Sequence, residues 1–469
     1  MGDPAAVVPD PRRWRILGVT LVVGFMTLLD VTIVNVALPS IQEGLDASAG
    51  AVQWVVSGYA LTFGLTLVIG GRLGDVLGRR RIMSIGLIGF VLGSAAVGFA
   101  PTAEVAVAAR LLQGAAAGLL TPQNSGLIQE LFTGPERGRA FGAFGFIVGV
   151  SSAIGPVLGG LIIAAFGAEH GWRYIFLINV PIGLVALFFI VRTVPGRREP
   201  HRDQPLDLDI GGAVLLGLAV LALLYPLIGT IGHSEWVFLL YLLVPVLAWA
   251  FIRREFTVAA RGGAPLLEVD LLRGTPGYAS GLTIGLIYFT GFTGMLLVIS
   301  VCLQEQFGLS PLTAGLLVTP FAAGSAVAAP VAGRMVTGVG RRLTVGALTV
   351  MLVGTVLLLM VVPAPGSARW VPFAVALLIA GLGGGAVISP NFTLTLENVP
   401  TRMAGAAGGA LQTGQRIGTA IGTALLASVY REALDRGASA QLALRISLVV
   451  AFVLLSAALF VAVRDSRSD

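Results

Sequence analysis

Long apolar runs alternate with short polar islands along the whole chain, and most of the runs exceed the length of an ordinary buried helix. At 1.5 Å per residue a helix needs about 20 residues to cross about 30 Å of hydrocarbon. Runs of that order lie at approximately 16–38, 52–71, 82–100, 105–130, 140–165, 173–192, 210–231, 236–252, 278–301, 312–333, 343–362, 371–391, 404–429 and 441–463. The pattern therefore predicts an all-α polytopic membrane protein with fourteen spans and both termini on one side of the bilayer. The first run carries an aspartate and follows a short basic tail, so it reads as a retained span and not as a cleaved leader.

One island organises the others. Gly71-Arg-Leu-Gly-Asp-Val-Leu-Gly-Arg-Arg-Arg81 separates the second and third runs, and its charges cannot sit in hydrocarbon. It is a short loop, placed on the cytoplasmic side by its arginines. Charge alone would make it an ordinary basic turn, but its spacing returns as Gly333-Arg334 and Gly340-Arg341-Arg342. Around the two copies, Gly114, Gly118 and Pro122 are echoed by Gly381, Gly385 and Pro390, and Pro135-Glu-Arg137 by Pro400-Thr-Arg402. Related halves in the same order predict two six-helix bundles, 16–192 and 278–463, with a site at their interface. Residues 193–277 then form cytoplasmic linkers around an inserted helix pair at about 210–252, hinged at Pro195, Pro200, Pro205 and Gly262-Gly263. Short tails, 1–15 and 464–469, complete the chain.

Composition supports a membrane setting: 56% of the 469 residues are hydrophobic and 12% charged, where a soluble domain carries about 25% charged residues. The thirty basic residues are all arginine, which with abundant Ala, Gly and Val points to a GC-rich bacterial genome and a bacterial cytoplasmic membrane. Most of them fall in loops on the side of Gly71–Arg81; Arg173, Arg369, Arg431, Arg436 and Arg445 fall on the other. That asymmetry, and not nucleic-acid binding, accounts for the net charge of +6. Cys302 is the single cysteine, so no disulfide or thiolate metal cluster is expected, and it reads as a small buried hydrophobe. His170, His201 and His233 all fall in loops without metal-ligand or triad spacing, which argues against an enzyme.

Charges inside the runs are few. Asp30 is the one carboxylate well inside a span, about 21 Å from the cytoplasmic boundary, and Arg110 lies at a matching depth, about 9 Å from the opposite boundary. A lone charge there costs at least about 2.5 kcal/mol, so each must face a cavity or a partner. Asp30 is the candidate protonation site, Arg110 the group that biases it, and Asn35 and Gln113 the neighbouring polar lining; a static buried ion pair is the alternative. Arg416 lies about 18 Å deep in its span, beside Gln412 and Gln415. These three are either a polar patch facing a cavity or a packing network. Gln304 and Glu305 mark the outer end of the ninth span. Glycines four apart in the fifth span, with Pro156 bending it, allow close helix approach.

The chain resembles the major facilitator superfamily and, within it, the fourteen-span drug:proton antiporter family. The residues that carry the resemblance are Leu29-Asp30-Val-Thr-Ile-Val-Asn35-Val-Ala-Leu-Pro39, Gly71–Arg81, Arg110-Leu-Leu-Gln113-Gly114, and Trp172-Arg173-Tyr-Ile-Phe-Leu-Ile-Asn179-Val-Pro181. Gly155-Pro156 with Gly159-Gly160 is similar to the antiporter motif. The resemblance implies alternating access and export coupled to proton entry, with no cofactor beyond the proton gradient. It also implies a latch of the outward-open state built from Asp75, Arg79 and Glu130, one-sided because Thr337 stands in the second copy where Asp75 stands in the first. Family members that handle divalent cations carry further membrane acids in the second bundle, and this sequence has none well inside a span.

The resulting expectation is efflux of lipophilic drugs or cations, with a small-molecule substrate, protons and the lipid bilayer as partners, by a monomer. Export of a specific, anionic metabolite or antibiotic, with Arg110 and Arg416 as counter-charges, is one alternative, and translocation of an envelope lipid is another.

Overall fold

A computed structural model describes residues 10–196, 209–228, 235–263, 265–362 and 370–467. Pro200, Pro205, His201, His233 and the side chain of Asn35 lie outside the described residues. The helices run α1 Arg13–Gly44, α2 Ala49–Leu77, α3 Arg79–Gly98, α4 Ala103–Leu131, α5 Gly134–Phe166, α6 Ala168–Leu177 and α7 Asn179–Thr193. After these come α8 Ile210–Ile228, α9 Leu240–Ala260, α10 Val269–Gly274, α11 Tyr278–Val301, α12 Pro311–Val339, α13 Arg341–Val361, α14 Trp370–Thr395, α15 Ala404–Asp435 and α16 Ala440–Asp465. Helices α1–α7 form one bundle, with two apolar clusters of its own, and α11–α16 the other, whose core continues into α1, α4 and α5.

Helices occupy every stretch in which the sequence predicts a span, but twelve among the described residues, not fourteen, are long and apolar enough to cross a membrane. The two that fall short do so for different reasons. The apolar part of α8 reaches only from Ile210 to Leu223, and the chain at 229–234 lies outside the described residues. α15 is long, but glycines and the polar residues Gln412, Gln415 and Arg416 lower its hydropathy; its Gly405–Thr413 stretch is buried in protein. The sixth expected span is two helices. Pro181 has no N–H to give to Leu177, so the ladder breaks where α6 meets α7, at Ile178 and Asn179.

The two copies of the basic motif turn on glycines of positive φ, Gly78 at 94° and Gly340 at 62°. That conformation costs glycine nothing and most residues about 1–2 kcal/mol, which explains why the spacing repeats. Both copies lie at one end of the molecule. Arg13 at the start of α1 pairs with Glu136 at the start of α5 at 2.9 Å, and Asp465 at the end of α16 pairs with Arg341 at 2.5 Å. The first and last described helices therefore meet the membrane from the same, arginine-rich end.

The bundles join along two crossings, α2 with α15 and α5 with α12. Each motif copy contributes its first glycine to one of them: Gly71 lies against the backbone of Gly405, and Gly333 against Gly138. The inserted pair does not stand apart from the bundles. α8 seats against α2 and α15, and Ala213 and Phe251 share a small core with Val68, Ala410 and Leu266. Arg72 fixes the following segment by its contacts to Glu268, at 2.6 Å, and to the carbonyl of Pro265.

Gly333→Leu tests the crossing. The larger side chain meets the Gly138 carbonyl and Gly142 Cα, and overpacking of this kind costs about 1–3 kcal/mol. The expected outcome is a lower thermal midpoint and a several-fold lower yield of disulfide between cysteines placed across α5 and α12 at the arginine-rich end. An unchanged yield would show that this glycine does not limit closure.

Candidate functional site

Asp30 and Arg110 meet inside the first bundle. Asp30 is 0% and Arg110 1% exposed, and Arg110 Nη1 donates to Asp30 Oδ2 at 2.6 Å. Gln113, one turn along α4, bridges the pair: it accepts from Arg110 Nη1 at 2.9 Å and donates to Asp30 Oδ1 at 3.1 Å. Asn179 at the α6–α7 break donates to the same Oδ1 at 3.1 Å and to Ser94 Oγ at 3.0 Å. Arg110 Nε donates to the Val55 carbonyl at 3.0 Å, and its guanidinium lies over the Tyr59 ring at 4.0 Å. An ion pair in a low-dielectric interior persists only when its remaining polar atoms are satisfied in this way. Depth along the helices foretold the Asp30–Arg110 pair; Asn179, Ser94 and Tyr59 were missed. The Pro181 break was the available signal for Asn179.

The central cavity lies elsewhere. A space of ≈260 Å³ opens between the bundles, walled by α1, α5, α11, α12, α14 and α15. Gln412, Gln415 and Arg416 line it, as does Gln304 in the turn after α11. Gln113 does not: expected in the cavity wall, it is 0% exposed and turned into the bundle toward Asp30. Asp30 is likewise absent from the wall, although Leu28, Val31 and Thr32 on the same helix contribute to it. Side chains at this part of α1 alternate between the bundle interior and the cavity, and the periodicity of a uniformly apolar helix does not say which face is which. At the arginine-rich end the floor is aromatic, with Phe392 stacked on Phe141 at 5.4 Å and met edge-on by Phe144 at 5.4 Å.

Below that floor lie the three residues of the expected latch. Arg79 donates to Asp75 Oδ1 at 2.7 Å and to Glu130 Oε1 at 2.6 Å. Asp75 also reaches across the seam, where it accepts from the backbone N–H of Gly405 at 3.2 Å and of Ala406 at 3.1 Å. It is an anion seated on the N-terminus of α15, where free N–H groups and the helix dipole both favour negative charge. In the second copy Thr337 supplies no carboxylate. Arg341 instead binds Asp465 of α16 and Asn391 Oδ1, the latter at 3.2 Å, all within its own bundle. Only the first copy clasps the opposite bundle with a carboxylate.

The glycine-rich stretch of α5 packs on both sides. Gly155 lies against Thr32 of α1 and Gly160 against Leu312 of α12, Gly159 is buried, and Pro156 lines the cavity beside Gly315. Thr32 Oγ donates to the Ser151 carbonyl at 3.0 Å, fixing α1 to α5.

Removing the charge of Asp75 weakens the clasp selectively. A hydrogen bond to a charged group contributes about 1.5–3 kcal/mol, so Asp75→Asn should raise the population open at the arginine-rich end by at least about tenfold. Cysteines placed along the closed passage below Phe392 should then label faster. Labelling at the wild-type rate would remove the role assigned to this carboxylate.

The Major Facilitator Superfamily model matches residues 20–208 and 210–423. The chain is 36% identical over 445 residues to the "Probable actinorhodin transporter" of Streptomyces coelicolor, covering 94% of this chain and 76% of that one. It is 33% identical over 437 residues to the "Tetracenomycin C resistance and export protein" of Streptomyces glaucescens, covering 90% and 78%. Its fold matches the crystal structure of the human organic anion transporter MFSD10 with a TM-score of 0.70 at 17% identity, over 97% of this chain and 100% of that one. The chain belongs to the Major Facilitator Superfamily and is a multi-pass membrane transporter, not an enzyme.

Proposed function

We propose that this transporter exports small lipophilic, drug-like molecules from a bacterial cytoplasm in exchange for protons, as a monomer of the fourteen-span drug:proton antiporter family. The gradient is its only energy source and no cofactor takes part. Relatives named for antibiotic transport, resistance and export support the direction. In this reading the arginine-rich end is cytoplasmic, by the positive-inside rule, and α8 and α15 span the membrane with the other twelve. The conformer described, closed by the Asp75 clasp with its cavity on the far side of the Phe392 floor, is then outward-open.

The observation that carries the proposal is the Asp30–Arg110 pair, a carboxylate with three side-chain donors and no exposure, inside one of two bundles. A proton from outside, reaching Asp30 when the helices around it open, neutralises the acid and weakens its hold on Arg110, Gln113 and Asn179. α1, α4 and the α6–α7 break thereby lose their common anchor, and the crossings at Gly71–Gly405 and Gly138–Gly333 can part. Proton release to the cytoplasm restores the pair. Coupling follows because the two protonation states favour different arrangements of the same helices.

Asp30→Asn keeps the shape and removes the titration. Proteoliposomes of this variant should lose pH-gradient-driven accumulation of a fluorescent substrate while retaining exchange of labelled for unlabelled substrate. Breaking a buried pair costs about 3–5 kcal/mol, so thermal stability is measured alongside. Accumulation against the gradient at the wild-type rate would place the coupling proton elsewhere.

A further inference from the structure

The central cavity holds one ionised side chain, and it is positive. Among the described lining residues only Arg416 carries charge. No carboxylate of the described residues lies within ion-pair distance of it, and its guanidinium instead rests over the Phe63 ring at 4.4 Å. Asp30 of the wall helix α1 is turned away from the cavity, fully buried and paired with Arg110. A guanidinium in an apolar cleft focuses positive potential into the space before it. Such a space favours an anion and repels a cation.

The neutral groups of the wall narrow the ligand further. Thr293, Thr419, Thr423 and Ser152 each donate their hydroxyl proton to a carbonyl one turn back, at 2.6, 3.0, 2.9 and 2.8 Å. Gln412 gives its amide to Ser125 at 3.3 Å, and Gln304 gives its own to Ser300. These hydroxyls therefore present lone pairs to the cavity, not protons, and can accept hydrogen bonds from a ligand. The apolar walls are aromatic on both bundles, Phe144 on one and Phe289, Phe292 and Phe392 on the other. Phe292 is stacked with Tyr288 and with Phe321, each at 5.4 Å, so the orientation of its ring is fixed.

We infer that the cavity selects planar aromatic acids bearing hydroxyl groups, with Arg416 binding the carboxylate or phenolate, the wall hydroxyls accepting from the ligand's own O–H groups, and the phenylalanines stacking on its rings. The inference rests on the efflux reading only in taking this cavity as the substrate's path. It excludes organic cations, which the sequence left open beside lipophilic drugs. Guanidinium is suited to the role because its planar fork pairs with both carboxylate oxygens at once and keeps its charge at every pH of interest.

Direct binding separates recognition from transport. Purified full-length protein is titrated with 1-hydroxy-2-naphthoic acid, with the methyl ester of that acid, and with ethidium. The acid should bind at least tenfold more tightly than the ester or ethidium. Arg416→Gln should abolish that preference, lowering the acid's affinity far more than the ester's, and Arg416→Lys should restore part of it. If Arg416→Gln does not fold, the acid-to-ester ratio in the wild type and in Arg416→Lys decides. Ethidium binding tighter than the acid, or an acid affinity indifferent to Arg416, overturns the assignment. Arg416-dependent binding of the acid without pH-driven transport in proteoliposomes would instead leave the recognition site standing and remove the efflux reading.

Discussion

No lone charge can be left inside hydrocarbon, and in the first bundle that constraint is met at a single point. Asp30 of α1 is held at once by Arg110 and Gln113 of α4 and by Asn179 at the α6–α7 break, while Arg110 reaches Val55 and Tyr59 of α2. Helices that would otherwise slide on apolar surfaces are thereby fixed in depth and rotation. Loss of the charge on Asp30 would weaken its bonds to Arg110, Gln113 and Asn179 together.

The joint between the bundles obeys a different rule. It is made of backbone brought close by glycine, at Gly71–Gly405 and Gly138–Gly333, and of few specific polar contacts. Close backbone approach gains dispersion over a large area without tying either side by strong directional bonds. Such a surface can part and re-form. The exception is Asp75, whose two bonds to the start of α15 add a charge-dependent clasp at one end. The inserted α8 lies over the α2–α15 crossing, and its neighbour segment is tied to Arg72, so this pair is anchored at the joint itself.

Between these two regions the cavity inherits its chemistry from what each leaves over. The acid of the membrane interior is paired within the first bundle, and among the described residues the second bundle lines the cavity with phenylalanines, a cation that has no carboxylate partner, amides, and hydroxyls already donating to their own helices.

Much of this was written in the chain. The length and apolarity of the runs dictated helices, because nothing else satisfies backbone groups in hydrocarbon. The repeated Gly-Arg spacing dictated two related halves, because Gly78 and Gly340 must turn with positive φ at the same place in each. Depth counting matched Asp30 to Arg110, since rise per residue is fixed. What the sequence could not decide was direction around a helix axis. Helices apolar on every side carry no period that separates lipid, bundle core and cavity, so Gln113 and Gln412, equally polar and comparably placed, went to different environments. Nor could it show that Asp465 would answer Arg341 from the far end of the chain, that Asp75 would cap α15 across the seam, or that the inserted pair would dock on both bundles. Those contacts join residues that are distant along the chain or lie in different bundles, and they exist only once the helices have chosen their neighbours.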